Sequence, residues 1–465
     1  MKRTSAIWKA LVIMLLLAMV ATACAPAATP QPAAATQAPA ATQVSSDETA
    51  GGSSAMGGLD PIVVAIWSGP EHDNLVKTAA EYEKETGNKV TVEEIARESY
   101  YDKLSTVFVA GSKDYDVAYV SGDWTPGWVA ANALKDLNSF IDDPNVVSPD
   151  FNLDVLQPGV GTVTFDGKIY GFPSEGDTAW LFYRKDILEA NNIPVPETMD
   201  DYLAAAEKLN NPPDLYGSVI GVKADEASWD FMHYFYAFGA SMLDENYNVT
   251  VNDEKGVAAL TFYSDLLQKY KVVPPDVTTY GYNEILTTLQ QGKSAMGVEW
   301  MAATADLQNC DLSPAVCKDG KPLLEYTLVP GTKQADGTIH RGQGASQWAW
   351  VIPSASQYQE AAYKFIEWLT GKTGAKLWAL NGGIPSNTDA LSDPEVVAKV
   401  PQFKLLAEAM PYRHLFPNTT VTPDLVNAFN EAIVAAVAGT KTPQQALDDA
   451  AAKMTDALTK AGYIK

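Results

Sequence analysis

From Leu59 onward, short apolar strands and amphipathic helices take turns along the chain, and that alternation limits the possible folds more than any single motif. Pro61 to Trp67 (PIVVAIW) reads as a buried strand, and the next helix carries Leu75, Ala79 and Tyr82 on one face until Gly87 stops it. Lys89 to Ile95 is a second strand, a helix runs from Tyr100 to about Ala110, and Tyr115 to Trp124 supplies a third strand. Further on, Thr198 to Asp201 is a capping-box-like start to a helix that continues through Leu209. Gly256 to Tyr270 and Asn283 to Gln291 are helices ahead of a strand over Ser294 to Trp300, and Tyr358 to Thr370 repeats the helical face. Strand and helix in strict alternation predict an α/β fold with mostly parallel sheets flanked by helices. Roughly 400 residues exceed what one core usually serves, so two lobes are expected.

The first 58 residues follow another rule. Lys2 and Arg3 precede an apolar run from Leu11 to Val20, too short to span a bilayer stably, and Ala21-Thr22-Ala23-Cys24 ends it. This layout reads as an export signal over 1–23 with a lipoprotein-type cysteine at Cys24. Ala21-Thr22-Ala23 also fits ordinary signal-peptidase cleavage, which would leave a secreted chain. Ala25 to Gly58 contains no aromatic residue, no Lys and no Arg, a composition that cannot bury a core and is expected to act as a tether. As a flexible coil it reaches about 30–35 Å.

Composition excludes some partners. The chain has 33 Lys and Arg against 57 Asp and Glu, a formal charge of −24, and loss of the leader makes it more acidic still. Such a surface repels nucleic acid and anionic lipid. Cys310 and Cys317 flank a polar loop in a chain that leaves the cytoplasm, so a disulfide is the natural reading, with a metal site the weaker one. The histidines His72, His233, His340 and His414 show no metal-ligand spacing, and neither a metal nor a cofactor is expected.

Tryptophan marks the candidate site. Trp67, Trp124 and Trp300 stand where strands give way to loops, and in open α/β sheets the ligand crevice lies at those carboxyl ends. Asp123 adjoins Trp124, Glu299 adjoins Trp300, and Glu71 follows Trp67 closely. Indole faces beside carboxylates suit a neutral polyhydroxyl ligand, whose C–H faces stack while its hydroxyls donate to carboxylate oxygens. Trp350, Trp368 and Trp378 lie inside strand or helix patterns and read as core.

Asp166 to Leu188 (DGKIYGFPSEGDTAWLFYRKDIL), followed by Pro196-Glu197-Thr198-Met199-Asp200, resembles the signature of extracellular sugar-binding proteins of ABC importers, the maltose-binding-protein-like class. Arg184 stands where many members carry Asn. IVVAIWSGPEHDNLVKTAAEYEKETGNKVTVEEI, YDVAYVSGDWTPGWVAANALKDLNSFI, QQGKSAMGVEW, AAYKFIEWLTGKTGAKLWALNGGIPSN and AFNEAIVAAVAGTKTPQQALDDAAAKM are similar to further family segments, in order. The resemblance implies a two-lobed periplasmic-binding-protein-like fold with a hinged cleft. Lobe one would be 59–174 plus 338–385, and lobe two 175–337 plus 386–465.

The same resemblance implies a ligand set. Asp123 falls on a family carboxylate, Trp124 replaces its polar neighbour, and Asp177, beside Glu175, falls on a carboxylate at the crossing between lobes. Trp229 aligns with a stacking aromatic of the second lobe, and Glu299 and Trp300 lie close to another. Ser68 and Glu71 match the first strand-to-helix turn, and Gln347 and Trp348 the loop that re-enters the first lobe. Trp67 reads equally as a packed neighbour of that turn. The expected molecule is a monomeric receptor, lipid-anchored at Cys24 outside the cell membrane, that binds a carbohydrate or polyol and hands it to membrane permease subunits without covalent chemistry. A secreted carbohydrate hydrolase and a same-fold receptor for a non-sugar solute are the alternatives.

Overall fold

The computed structural model describes residues 59–464 apart from 157 and 158. The leader over 1–23, Cys24 and the tether up to residue 58 lie outside the described residues. Strand β1 (Ile62–Trp67) leads into α1 (Pro70–Thr86), which ends at Gly87 with φ of 79°, the left-handed closure that glycine adopts without strain. β2 (Val90–Ile95), α2 (Tyr100–Val109) and β3 (Val117–Ser121) follow. β3 is shorter than the strand predicted over Tyr115 to Trp124. Gly122–Trp124 instead wind into a 3-10 turn, where the Thr125 hydroxyl donates to the Gly122 carbonyl at 2.6 Å and Pro126 opens the next helix. Asp123 and Trp124 therefore sit on a turn at the end of the sheet.

β4 (Gly171–Glu175) is the last strand before the chain leaves this sheet, and β5 (Ala179–Arg184) enters a second one. α3 (Met199–Leu209) starts with the expected capping box, Thr198 and Asp201 each accepting from the other's backbone N–H. α4 (Ala227–Ala237), α5 (Glu254–Gln268) and α6 (Tyr282–Gln290) precede β6 (Met296–Trp300) and β7 (Leu324–Leu328). The chain then returns through β8 (Gln343–Gly344) and β9 (Trp348–Val351) to α7 (Gln359–Thr370) and α8 (Lys372–Asn381). β10 (Arg413–His414), α9 (Thr422–Val437) and α10 (Pro443–Lys460) close it.

The first sheet has the order β2-β1-β3-β9-β4, and the second β7-β5-β6. β1 pairs in parallel with β2 and β3, whereas β9 runs against both β3 and β4, so β9 alone is reversed. In the second sheet β5 runs against both neighbours, and parallel pairing is left to the isolated bridges of Tyr216 with Ser294 and Val219 with Gly297. A mostly parallel sheet thus describes the first lobe, and the second is antiparallel in its main strands. One cause serves both sheets. β9 and β5 are laid down directly after the chain crosses from the other sheet, without the helical crossover that parallel entry requires.

Side chains of β5 alternate between two cores, as strand geometry dictates. Leu181 packs with Tyr202, Phe231, Tyr263 and Phe429, while Trp180 and Phe182 pack with Ile285 and Leu406. The first sheet buries Ile66, Leu104, Tyr119, Phe172, Trp350 and Ile366 together. Trp350 and Trp378 are core residues; Trp368 is half-buried and donates its indole N–H to Glu85 at 3.1 Å. Cys310 and Cys317 form a disulfide with Cα atoms 5.6 Å apart. Among the described residues no helix is long and apolar enough to cross a membrane, and no cluster of metal-ligating side chains occurs.

Candidate functional site

Two short segments carry the chain between the sheets, and they are bonded to each other. The Thr178 hydroxyl donates to the Gly344 carbonyl at 2.8 Å, Ser346 N–H donates to the Asp177 carbonyl at 3.2 Å, and the Gln343 amide reaches the Thr178 hydroxyl at 2.7 Å. Gln347 is buried, and its amide N–H groups reach the carbonyls of Glu175 and Trp348 and the Ser386 hydroxyl. Glu175, Asp177, Gln347 and Trp348 are thereby gathered at one junction by the backbone itself.

On the first-lobe side, the ends of β1 and β9 and the middle of β3 bring three rings together. Trp67 stands edge-on to Trp348 at 4.1 Å and to Tyr119 at 5.1 Å. A cavity of about 370 Å³ opens beside them, bordered by Arg97, Tyr100, Tyr101, Trp124 and Trp348 as well as Trp67. That volume is within the range of small-molecule pockets. The Arg97 guanidinium lies 4.9 Å over the Trp67 ring, a cation–π contact at the rim. Ser68 and Glu71 occupy the turn below: Ser68 N–H donates to Ile95 at 2.8 Å, and Glu71 accepts from the Trp67 indole at 3.2 Å.

A second, smaller cavity of about 30 Å³ lies among Asp123, Thr162, Trp229, Gln347, Phe416 and Asn418. Consecutive residues divide between the two spaces. Asp123 and Gln347 border the small one, and their neighbours Trp124 and Trp348 border the large one. From the second lobe Trp229 meets Phe416 edge-on at 4.6 Å and Trp300 at 6.1 Å, and His233 stands edge-on to Trp300 at 4.7 Å. Glu299 is buried behind this aromatic group, with one carboxylate oxygen accepting from Trp300 N–H at 2.7 Å.

Burial dominates the electrostatics. It pushes the Asp177 carboxyl up to about 7, against the opposing pull of the Thr178 N–H and the Arg413 guanidinium. Glu175 is driven well above the carboxylate range by burial and by the charges of Asp177 and Glu71, although the Tyr119 hydroxyl donates to it at 2.6 Å. Burial raises Asp123 as well, against the Ser121 hydroxyl that bonds it, and it raises Glu299, which also faces Asp230. A protonated carboxyl both donates and accepts, so such a group pairs with a hydroxyl in either sense. Rings for stacking and acids for hydroxyls are together able to take up a polyol or a sugar.

Several residues of the junction carry no signal in the sequence. Tyr119 reads as core from its strand, yet its hydroxyl engages Glu175. Arg97, Tyr101 and Phe416 border the cavities from loop and helix positions without periodic marking. Arg413 reaches the crossing segments from a two-residue strand. Trp67 turns out to be both a packed ring and a border of the larger cavity.

Residues 68–376 match the family model described as bacterial extracellular solute-binding protein. The chain is 28% identical over 393 residues to a probable ABC transporter-binding protein of Deinococcus radiodurans, covering 81% of this chain and 88% of the relative. It is 26% identical to a mannitol-binding protein of Pseudomonas aeruginosa, over 60% of this chain and 64% of that one. Among solved structures, the ABC transporter solute-binding protein from Agrobacterium radiobacter K84 in complex with ribitol superposes with a TM-score of 0.71 at 25% identity, covering 86% of this chain and all of the other.

Proposed function

The chain belongs to the bacterial extracellular solute-binding proteins, and on that premise we propose that it captures a sugar or polyol between its two lobes and delivers it to an ABC importer. The observation that carries this reading is the convergence of Asp123 and Gln347, at the edge of the first sheet, with Trp229 of helix α4 on one cavity. Relatives named for mannitol and crystallised with ribitol support the same ligand class. Ser68, Glu71, Asp123, Trp124, Glu175, Asp177, Trp229, Glu299, Trp300, Gln347 and Trp348 form the ligand set, with acids pairing hydroxyls and indoles covering C–H faces. Closure of the lobes excludes water, strengthens each polar contact, and presents a shape that the permease recognises.

We assign the lobes to 59–174 plus 338–385 and 175–337 plus 386–465; the passage from β4 to β5 supports the first boundary, while the return passage at Ser346 lies beyond residue 338. The protein acts as a monomer and a binder rather than an enzyme, held outside the membrane by a lipid on Cys24 and the tether that follows. A thermal-shift screen of the mature protein against monosaccharides, oligosaccharides and polyols tests the reading. A ligand at 100 times its Kd stabilises by about 2.7 kcal/mol, which such a screen detects. Absence of any shift across the panel overturns it.

A further inference from the structure

Arg413 is placed where a cation is costly. It belongs to β10, which pairs in parallel with β8, opposite Gln343. The residue is half-buried, and one terminal nitrogen donates to the Asp177 carbonyl at 3.3 Å and to the Ser346 carbonyl at 3.0 Å. Those carbonyls belong to the two different segments that connect the sheets. The other terminal nitrogen touches the Met410 sulfur at 3.3 Å, and Nε has no partner among the described residues. The fit is close: a Cβ on Gly176 would stand 2.9 Å from the guanidinium.

A water molecule or an amide could bridge two carbonyls without burying a charge. A guanidinium adds a rigid fork and a permanent positive charge. Of the groups facing Asp177, Glu71 and Glu299 are acidic, and Glu175 lies two residues away; Arg413 supplies the opposing charge. We propose that Arg413 is a positioning residue for ligand capture: its guanidinium clamps the two crossing segments together through the Asp177 and Ser346 carbonyls and so sets where the Asp177 carboxyl stands between them. The proposal rests on the reading of Asp177 as a ligand group, and it makes the spread of the lobes and the state of that carboxylate depend on one side chain.

The test needs no ligand, so its outcome is independent of the sugar screen. Mature wild-type protein, Arg413→Lys and Arg413→Met are compared by small-angle X-ray scattering and by ¹³C NMR titration of the Asp177 carboxyl. Arg413→Met is expected to broaden the distribution of lobe separations and to raise the Asp177 midpoint by at least one pH unit. Arg413→Lys keeps the charge but loses the fork, so it should restore the midpoint and still broaden the scattering distribution. A merely structural arginine would lower the melting temperature and move neither readout. Wild-type scattering from both variants overturns the clamp, and a wild-type midpoint in Arg413→Met overturns the link to Asp177. Should the Met variant fail to fold, the scattering of the Lys variant decides the clamp alone.

Discussion

The phenol of Tyr119 donates to the buried carboxylate of Glu175 at 2.6 Å, joining the middle of β3 to the last residue of β4 across the intervening strand β9. The same ring packs edge-on to Trp67 at 5.1 Å and stacks on Trp348 at 5.3 Å, so one side chain ties an acid of the junction to the aromatic wall. Tyr119→Phe keeps the packing and removes only the donor. It leaves a buried carboxyl short of a partner, which costs about 1–3 kcal/mol. Urea unfolding should show that loss, and an unchanged midpoint would mean that water replaces the phenol.

Trp229 carries the second-lobe side of the small cavity. Its ring also contacts Phe416 and Trp300, so Trp229→Ala should cost some stability as well as binding. Calorimetry with the best sugar from the screen should show affinity falling by about tenfold or more, or roughly 1.4 kcal/mol. Equal affinity in the variant removes Trp229 from the ligand set.

Stability should fall as pH rises from about 4 to about 7. The Asp177 carboxyl has its folded value raised from 3.8 to about 7, so over that window the folded chain holds a proton that the unfolded chain has lost. Its contribution is complete below the unfolded value and disappears as pH passes the folded one. Asp123, Glu175, Asp230 and Glu299 are shifted the same way by burial. His233, pushed down to about 3 by burial, works in the opposite sense and offsets part of the slope. Asp177→Asn should flatten the stability profile between pH 4 and 7 in urea titrations; a slope equal to that of the wild type would locate the proton elsewhere.

Cys24→Ser tests the anchor. The variant should move from the membrane fraction to the soluble extracellular fraction, with the sugar affinity of the mature protein unaltered. Retention in the membrane fraction would rule out lipidation at this residue.

Much of the first lobe and the opening of the second are readable because their strands and helices follow simple periods. The β1-to-β3 region and the capping box at Thr198 are where the pattern puts them, within a few residues. The end of β3 was not, since Gly122–Trp124 leave the sheet by a local turn whose bonds depend on Thr125. The direction of β5 was hidden as well, because an apolar strand looks the same in either orientation. Arg413 was beyond reach for a related reason. A two-residue ladder has no period, and a lone cation between aromatic and apolar neighbours does not disclose which carbonyls it will meet. Trp229 and Gln347 are marked only by family resemblance, Asp123 also by its place beside Trp124, and their shared cavity is a matter of tertiary geometry that no local pattern encodes.

The segments made last in each lobe also govern when the molecule can fold. β9 sits between β3 and β4, so the first sheet stays split until the chain has been made beyond Val351. The second lobe waits longer still, since α9 and α10 pack on α5 and contribute Phe429 and Leu447 to its core. Synthesis at about 5–20 residues per second leaves β4 without its neighbour for many seconds. Neither lobe can complete its core while its C-terminal segments are still missing, so folding of both lobes is held back to the end of synthesis.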